Sequence, residues 1–155
     1  MAQRQHNNNN ELAQWLALVH TPRLGPLGVQ RLLDRYEQPA AIFEAASRPD
    51  ELPPGLRGAL KRFDSAGVAR DQQCADDDPA HHLITLDDPR YPALLKELKD
   101  PPPVLYINGD PDCLAAPQIA IVGSRNPSPT GAENARAFAR ALASRGLTVT
   151  SGLAV

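Results

Sequence analysis

The sequence predicts an α/β protein, with a small all-helical domain in front and the beginning of an open parallel β-sheet behind it. Three observations carry that expectation. Apolar residues recur at i, i+3, i+4 and i+7 three times between residues 12 and 63, the spacing of one helix face. From residue 83 that period gives way to short apolar runs bounded by Gly, Pro and Asp. The last stretch, 119–152, then reads as strand, glycine-containing loop, amphipathic helix and strand, about the thirty residues of a βαβ unit.

Each element has its own reason. Residues 1–10, with four consecutive asparagines, read as a disordered polar tail. Leu12, Trp15, Leu16 and Val19 make the first helical face, Val29, Leu32, Leu33 and Tyr36 the second, and Leu56, Ala59, Leu60 and Phe63 the last; Ile42, Phe43 and Ala46 mark a shorter helix between them. Pro22, Gly25 and Gly28, Gln38-Pro39 and Pro53-Pro54-Gly55 punctuate these helices, so residues 11–70 form the helical domain. Residues 71–82, with Asp76-Asp77-Asp78-Pro79, read as an acidic linker. Residues 83–155 open the sheet domain. Leu83-Ile84-Thr85-Leu86 and Val104-Leu105-Tyr106-Ile107 are strands, Leu94, Leu95 and Leu98 lie on a short helix between them, and Asn108-Gly109-Asp110 closes the second strand with Gly109 left-handed.

Composition narrows the function classes. The chain has 155 residues, 42% of them apolar and 22% charged, which is globular. No run of eighteen apolar residues and no apolar signal core occur, so the expectation is a cytoplasmic protein without membrane contact. Cys74 and Cys113 lack metal-ligand spacing, and His81 and His82 sit in the acidic stretch, so neither a disulfide scaffold nor a zinc site is expected, and no cofactor is implied. The net charge of −2 conceals an uneven distribution. Residues 71–118 hold three cations against ten acids, whereas 119–155 hold Arg125, Arg136, Arg140 and Arg145 against Glu133 alone. A local basic face is what phosphate binding requires, so nucleic acid stays open as a partner.

The chemistry concentrates in the last unit. Ile119-Ala120-Ile121-Val122 is apolar throughout, as a strand buried on both faces would be. Thr130 stands three before Glu133 in capping-box register, and Ala135, Phe138, Ala139, Leu142 and Ala143 make one apolar stripe, with Arg136, Arg140 and Arg145 on the exposed face. Gly146 ends the helix and Leu147-Thr148-Val149-Thr150 forms the next strand, parallel to the first. Ligands of open parallel sheets bind beyond the carboxyl ends of the strands, and here those ends carry Gly123-Ser124-Arg125 and Ser151-Gly152. Glycine admits close backbone approach, serine supplies a hydroxyl, and arginine takes a phosphate by two hydrogen bonds. The spacing is not the dinucleotide fingerprint, since the next glycine after Gly123 is Gly131, and no Walker lysine follows.

Several ordered motifs resemble the DNA-processing protein A family, also called Smf. They are Arg90-Tyr91-Pro92, Leu95, Asp100-Pro101-Pro102-Pro103-Val104-Leu105-Tyr106 with Gly109, then Ala120-Ile121-Val122-Gly123-Ser124-Arg125, Thr130-Gly131, and Thr150-Ser151-Gly152-Leu153-Ala154. The resemblance implies a front domain of the sterile-alpha-motif-like (SAM-like) type followed by the truncated start of a Rossmann-like sheet. It further implies a non-catalytic, cytoplasmic protein that binds single-stranded DNA during natural transformation and loads the RecA recombinase onto it, as a homodimer when full-length. Its DNA pocket would be built by Gly123, Ser124 and Arg125, lined by Ser151 and Gly152, with Asn126 and Thr130 as further contacts. Independently of that resemblance, Thr21 to Val29 has the look of a helix-hairpin-helix turn, in which Arg23, Gly25 and Gly28 would touch a second phosphate; a plain helical corner serves the same residues, and His20 ends the helix before it. A nucleotide or phosphoribosyl hydrolase using the same strand-end loop is the alternative, although no general base stands near it. A helical interaction module is the third possibility.

Overall fold

Prolines decide where many of the helices begin. Lacking an N–H and fixed near helical φ, proline loses nothing in the first turn, and α2 (Pro26–Tyr36), α3 (Pro39–Ser47) and α4 (Pro54–Leu60) each open on one. The computed structural model describes residues 2–152, with side chains from residue 9 onward. It is a mixed α/β chain that divides into two compact units, residues 1–110 and 111–155.

In the first unit α1 (Ala2–Val19) is the central element. Four successive residues, Trp15, Leu16, Ala17 and Leu18, are all buried, which a helix achieves only when packed on more than one side. On one side Leu18 joins Val29, Leu32, Ile42, Ala45, Ala46, Leu52 and Leu60, the core shared with α2, α3 and α4. On the other side Trp15, Leu16 and Ala17 pack with Val68 and Val104, supported by Phe63, Leu83 and Leu86. Phe43 and Phe63 meet edge to face at 6.1 Å between the two.

This second core overturns the expected domain boundary. The stretch 71–82 is not a linker: α5 (Ser65–Asp77) runs through its first half, and β1 (His81–Thr85) starts within it. Asp71 accepts from Nε2 of His20 at 2.7 Å and from the Tyr106 hydroxyl at 2.6 Å, so α5 is tied to the end of α1 and to β2 (Val104–Asn108). Desolvation, and then the Asp71 carboxylate, push the Tyr106 pKa upward and keep that hydroxyl a donor. Nor do the two strands begin a parallel sheet. They pair antiparallel, from His81 opposite Asn108 to Thr85 opposite Val104, and lean on the helices. The connection between them carries α6 (Ala93–Lys96) and is pinned by the Tyr91 hydroxyl on the Pro102 carbonyl at 2.8 Å. Two local expectations also change. Backbone 2–10 continues α1 where a disordered tail was expected, an extension that adds one hydrogen bond per residue once the helix exists; and Phe63 lies past the end of α4.

The second unit is a 3-10 turn (Pro111–Leu114), β3 (Gln118–Ala120), α7 (Pro129–Ala143) and β4 (Thr148–Thr150). β3 and β4 pair parallel, with Gln118, Ile119 and Ala120 opposite Thr148, Val149 and Thr150. Bonds from the Thr148 N–H to Pro117 and from the Ile121 N–H to Thr150 extend the ladder at each end. The Thr150 hydroxyl donates to Oε1 of Gln118 at 2.6 Å. The run 119–122 is not buried on both faces as expected. Ile119 is 38% exposed and Val122 86%, since β3 has β4 as its one strand neighbour among the described residues. The capping box also gives way to another cap: the Ser128 hydroxyl accepts from the Gly131 N–H at 3.1 Å, Pro129 takes the first helical position, and Thr130 lies one residue inside.

Gly109 and Gly146 have φ of 117° and 83°, in the left-handed region that glycine tolerates and other residues resist. Gly146→Ala is expected to cost the second unit about 1–2 kcal/mol, read as a lower urea midpoint with unchanged slope.

Candidate nucleic-acid interface

Parallel pairing sends β3 and β4 out of the same end of the sheet, so the segments after Ala120 and after Thr150 leave side by side. Gly123, Ser124, Arg125 and Asn126 lie on the first of these segments and Ser151 and Gly152 on the second, all exposed. Thr130 is exposed in the first turn of α7. Leu153 and Ala154, the last residues of the motif, lie outside the described residues.

Hydrogen bonding leaves particular groups open. The Ser124 oxygen accepts from the Asn126 N–H at 3.1 Å, which curls the loop and leaves the Ser124 hydroxyl proton to donate outward. At the start of α7 Pro129 has no N–H and that of Gly131 is taken by Ser128, so Thr130 retains the one N–H of the first three helical positions without a partner among the described residues. Arg125 forms no ion pair among the described residues and remains available as a planar cation. The Ser-Pro pair that sets this cap was the signal available in the sequence for Ser128, in place of Thr130.

The glycines are more telling. A Cβ built at Gly123 or Gly152 would meet no atom of the described residues within 4 Å, as is also true at Gly25 and Gly55, and neither has the positive φ that would require glycine. Both strand ends are thus open to close approach by something outside the chain.

The front corner is different. A Cβ at Gly28 would come within 2.7 Å of the Leu24 Cδ1 methyl, the far end of a side chain that can shift. The N–H groups of Leu24 and Gly28 are bonded to Thr21 and Gly25, which removes two of the amides a phosphate would use, while Gly25 caps α2 and Arg23 is exposed at φ 64°. These bonds are those of a helical corner. The expected solvated linker residues are also placed in structure: Cys74 lies on α5, and Nδ1 of His81, on β1, sits 2.8 Å from the Cys74 carbonyl and 3.6 Å from its sulfur. Among the described residues no group of three or more His, Cys, Asp or Glu is arranged to hold a metal.

A cavity of about 470 Å³ lies elsewhere, in the first unit, lined by Glu11, Trp15, Thr85, Asp87, Asp88 and Arg90 among others. Its acids disfavour phosphate: Asp88 holds Arg90 at 2.7 Å, and that hydrogen bond keeps the Asp88 carboxyl below its ordinary range and charged. Among the described residues no helix is long and apolar enough to cross a membrane.

Residues 82–155 match a family described as DNA recombination-mediator protein A. Protein Smf of Synechocystis (strain PCC 6803) is 31% identical over 94% of this chain and 39% of its own length. Protein Smf of Escherichia coli K12 is 43% identical over 52% of this chain and 22% of its own, and DNA processing protein DprA of Bacillus subtilis 168 is 36% identical over 47% and 25%. The chain thus spans well under half the length of these relatives.

Proposed function

Because residues 82–155 belong to the DNA recombination-mediator protein A family, we propose that this chain grips the sugar-phosphate backbone of single-stranded DNA without catalysing a reaction. The observation that carries the reading is the pair of open glycines at adjacent strand ends, Gly123 and Gly152, beside Arg125, which has no ion-pair partner among the described residues. A phosphate entering there would meet the Arg125 guanidinium, the Ser124 hydroxyl and the Thr130 N–H, with Ser151 at the neighbouring edge. Phosphate contacts of this kind read no sequence, so oligonucleotides of different sequence should bind alike and lose affinity steeply with salt. The whole protein's role follows as part of the same proposal: in the cytoplasm, as a homodimer with a Rossmann-like sheet and a SAM-like front domain, it would receive single strands during DNA uptake and pass them to the RecA recombinase.

The glycines provide the test. Gly123→Ala is expected to leave the urea midpoint unchanged, since the new methyl meets nothing, and to weaken oligo-dT binding about fivefold or more by holding the backbone away from the phosphate. Fluorescence anisotropy checks it. Unchanged affinity, or tight binding of nucleoside monophosphates in place of oligonucleotides, would put a small-phosphate enzyme ahead of the DNA reading.

A further inference from the structure

We propose that the DNA path continues from the strand-end loop along the arginine-bearing face of α7, where Arg136 and Arg140 take the next phosphates; this rests on the single-strand reading of that loop. Four residues apart, the two arginines lie on one face of the helix and about 6 Å apart along its axis, of the order of one nucleotide step in an extended strand. Both are exposed, and neither side chain has an ion pair or hydrogen bond among the described residues. Glu133, the sole acid on α7, lies one turn before Arg136 and pairs with neither.

Two like charges at this spacing repel one another and disfavour the helix. The neighbouring cation has a local role, since Arg145 donates from Nη1 to the Ala141 carbonyl at 2.8 Å beyond the helix end. Arg140 gains from the negative end of the helix dipole, but Arg136, mid-helix, does not. An external polyanion accounts for both. The partition of charge agrees, because residues 111–155 carry four arginines against Asp112 and Glu133, while the other sixteen acids all lie in residues 1–110. Since α7 begins three residues after Asn126, a strand held at Arg125 can run onto this face without crossing an acidic surface of the same unit.

The test compares oligo-dT of roughly four and roughly twelve nucleotides on the 155-residue chain over a salt series. In the double variant Arg136→Gln/Arg140→Gln, affinity for the longer oligomer should fall about tenfold, and the slope of log K against log salt should drop by about 1.4, two single-strand contacts. Affinity for the shorter oligomer should change less than about twofold. Arg136→Lys/Arg140→Lys should restore the slope, and circular dichroism should show equal helix content in all three proteins. An unchanged slope in the glutamine variant overturns the proposal and leaves the face to an acidic protein surface. If Arg125→Gln fails to weaken even the shorter oligomer, the loop reading falls and this proposal with it.

Discussion

Replacing Arg125 by glutamine is expected to lower the affinity for oligo-dT about tenfold at low salt and to reduce the salt slope by about 0.7, the signature of one lost single-strand phosphate contact. The side chain is exposed and has no ion-pair partner among the described residues, so its removal breaks no contact within the chain. Stability should therefore be unaffected, and the whole effect should appear in binding. Lysine at the same position should recover most of the salt slope but less of the affinity, because an ammonium supplies the charge without the planar fork that takes two phosphate oxygens at once. A variant that binds as well as the parent at every salt concentration would remove Arg125 from the interface.

Val104→Asp is expected to unfold the first unit. Val104 is 5% exposed and packs with Trp15, Leu16, Ala17 and Val68, so a carboxylate there is buried with no partner, at a cost of the order of 4 kcal/mol. That is most of what a small domain has to lose. Trp15 is the chain's one tryptophan and lies in the same core, so its emission should shift to the red as helical signal disappears. The residue changed lies in a strand, yet the loss is read at Trp15, in a helix more than eighty residues earlier in the chain. Were the β1–β2 hairpin separate from the helices, the fluorescence of Trp15 and the unfolding of α1 to α4 would not respond.

What could be read from the sequence, and what could not, divides along physical lines. α7 was legible because its apolar stripe, its Ser-Pro start and its left-handed Gly146 agree, and the parallel pairing of β3 with β4 follows from the short crossover. α5 was not legible. Of its residues only Gly67 and Val68 are buried, and three aspartates crowd its end, while the Asp71 bonds that tie it to His20 and Tyr106 reach partners 51 and 35 residues away. Apolar runs of four likewise do not distinguish a parallel strand from an antiparallel one, so the pairing of residues 83–86 with 104–107 is not legible in the sequence. The candidate site residues could be named from motif and loop position. That Gly123 and Gly152 face open space among the described residues is a fact of three-dimensional packing alone.

The amide spectrum of the isotopically labelled chain during titration with oligo-dT tests the central claim most directly. The account predicts that the signals of Gly123, Ser124, Arg125, Thr130, Ser151 and Gly152 move first and together, and that those of Gly25 and Gly28 stay in place. Shifts confined to the front corner, or none at the two strand ends under saturating oligonucleotide, would contradict it.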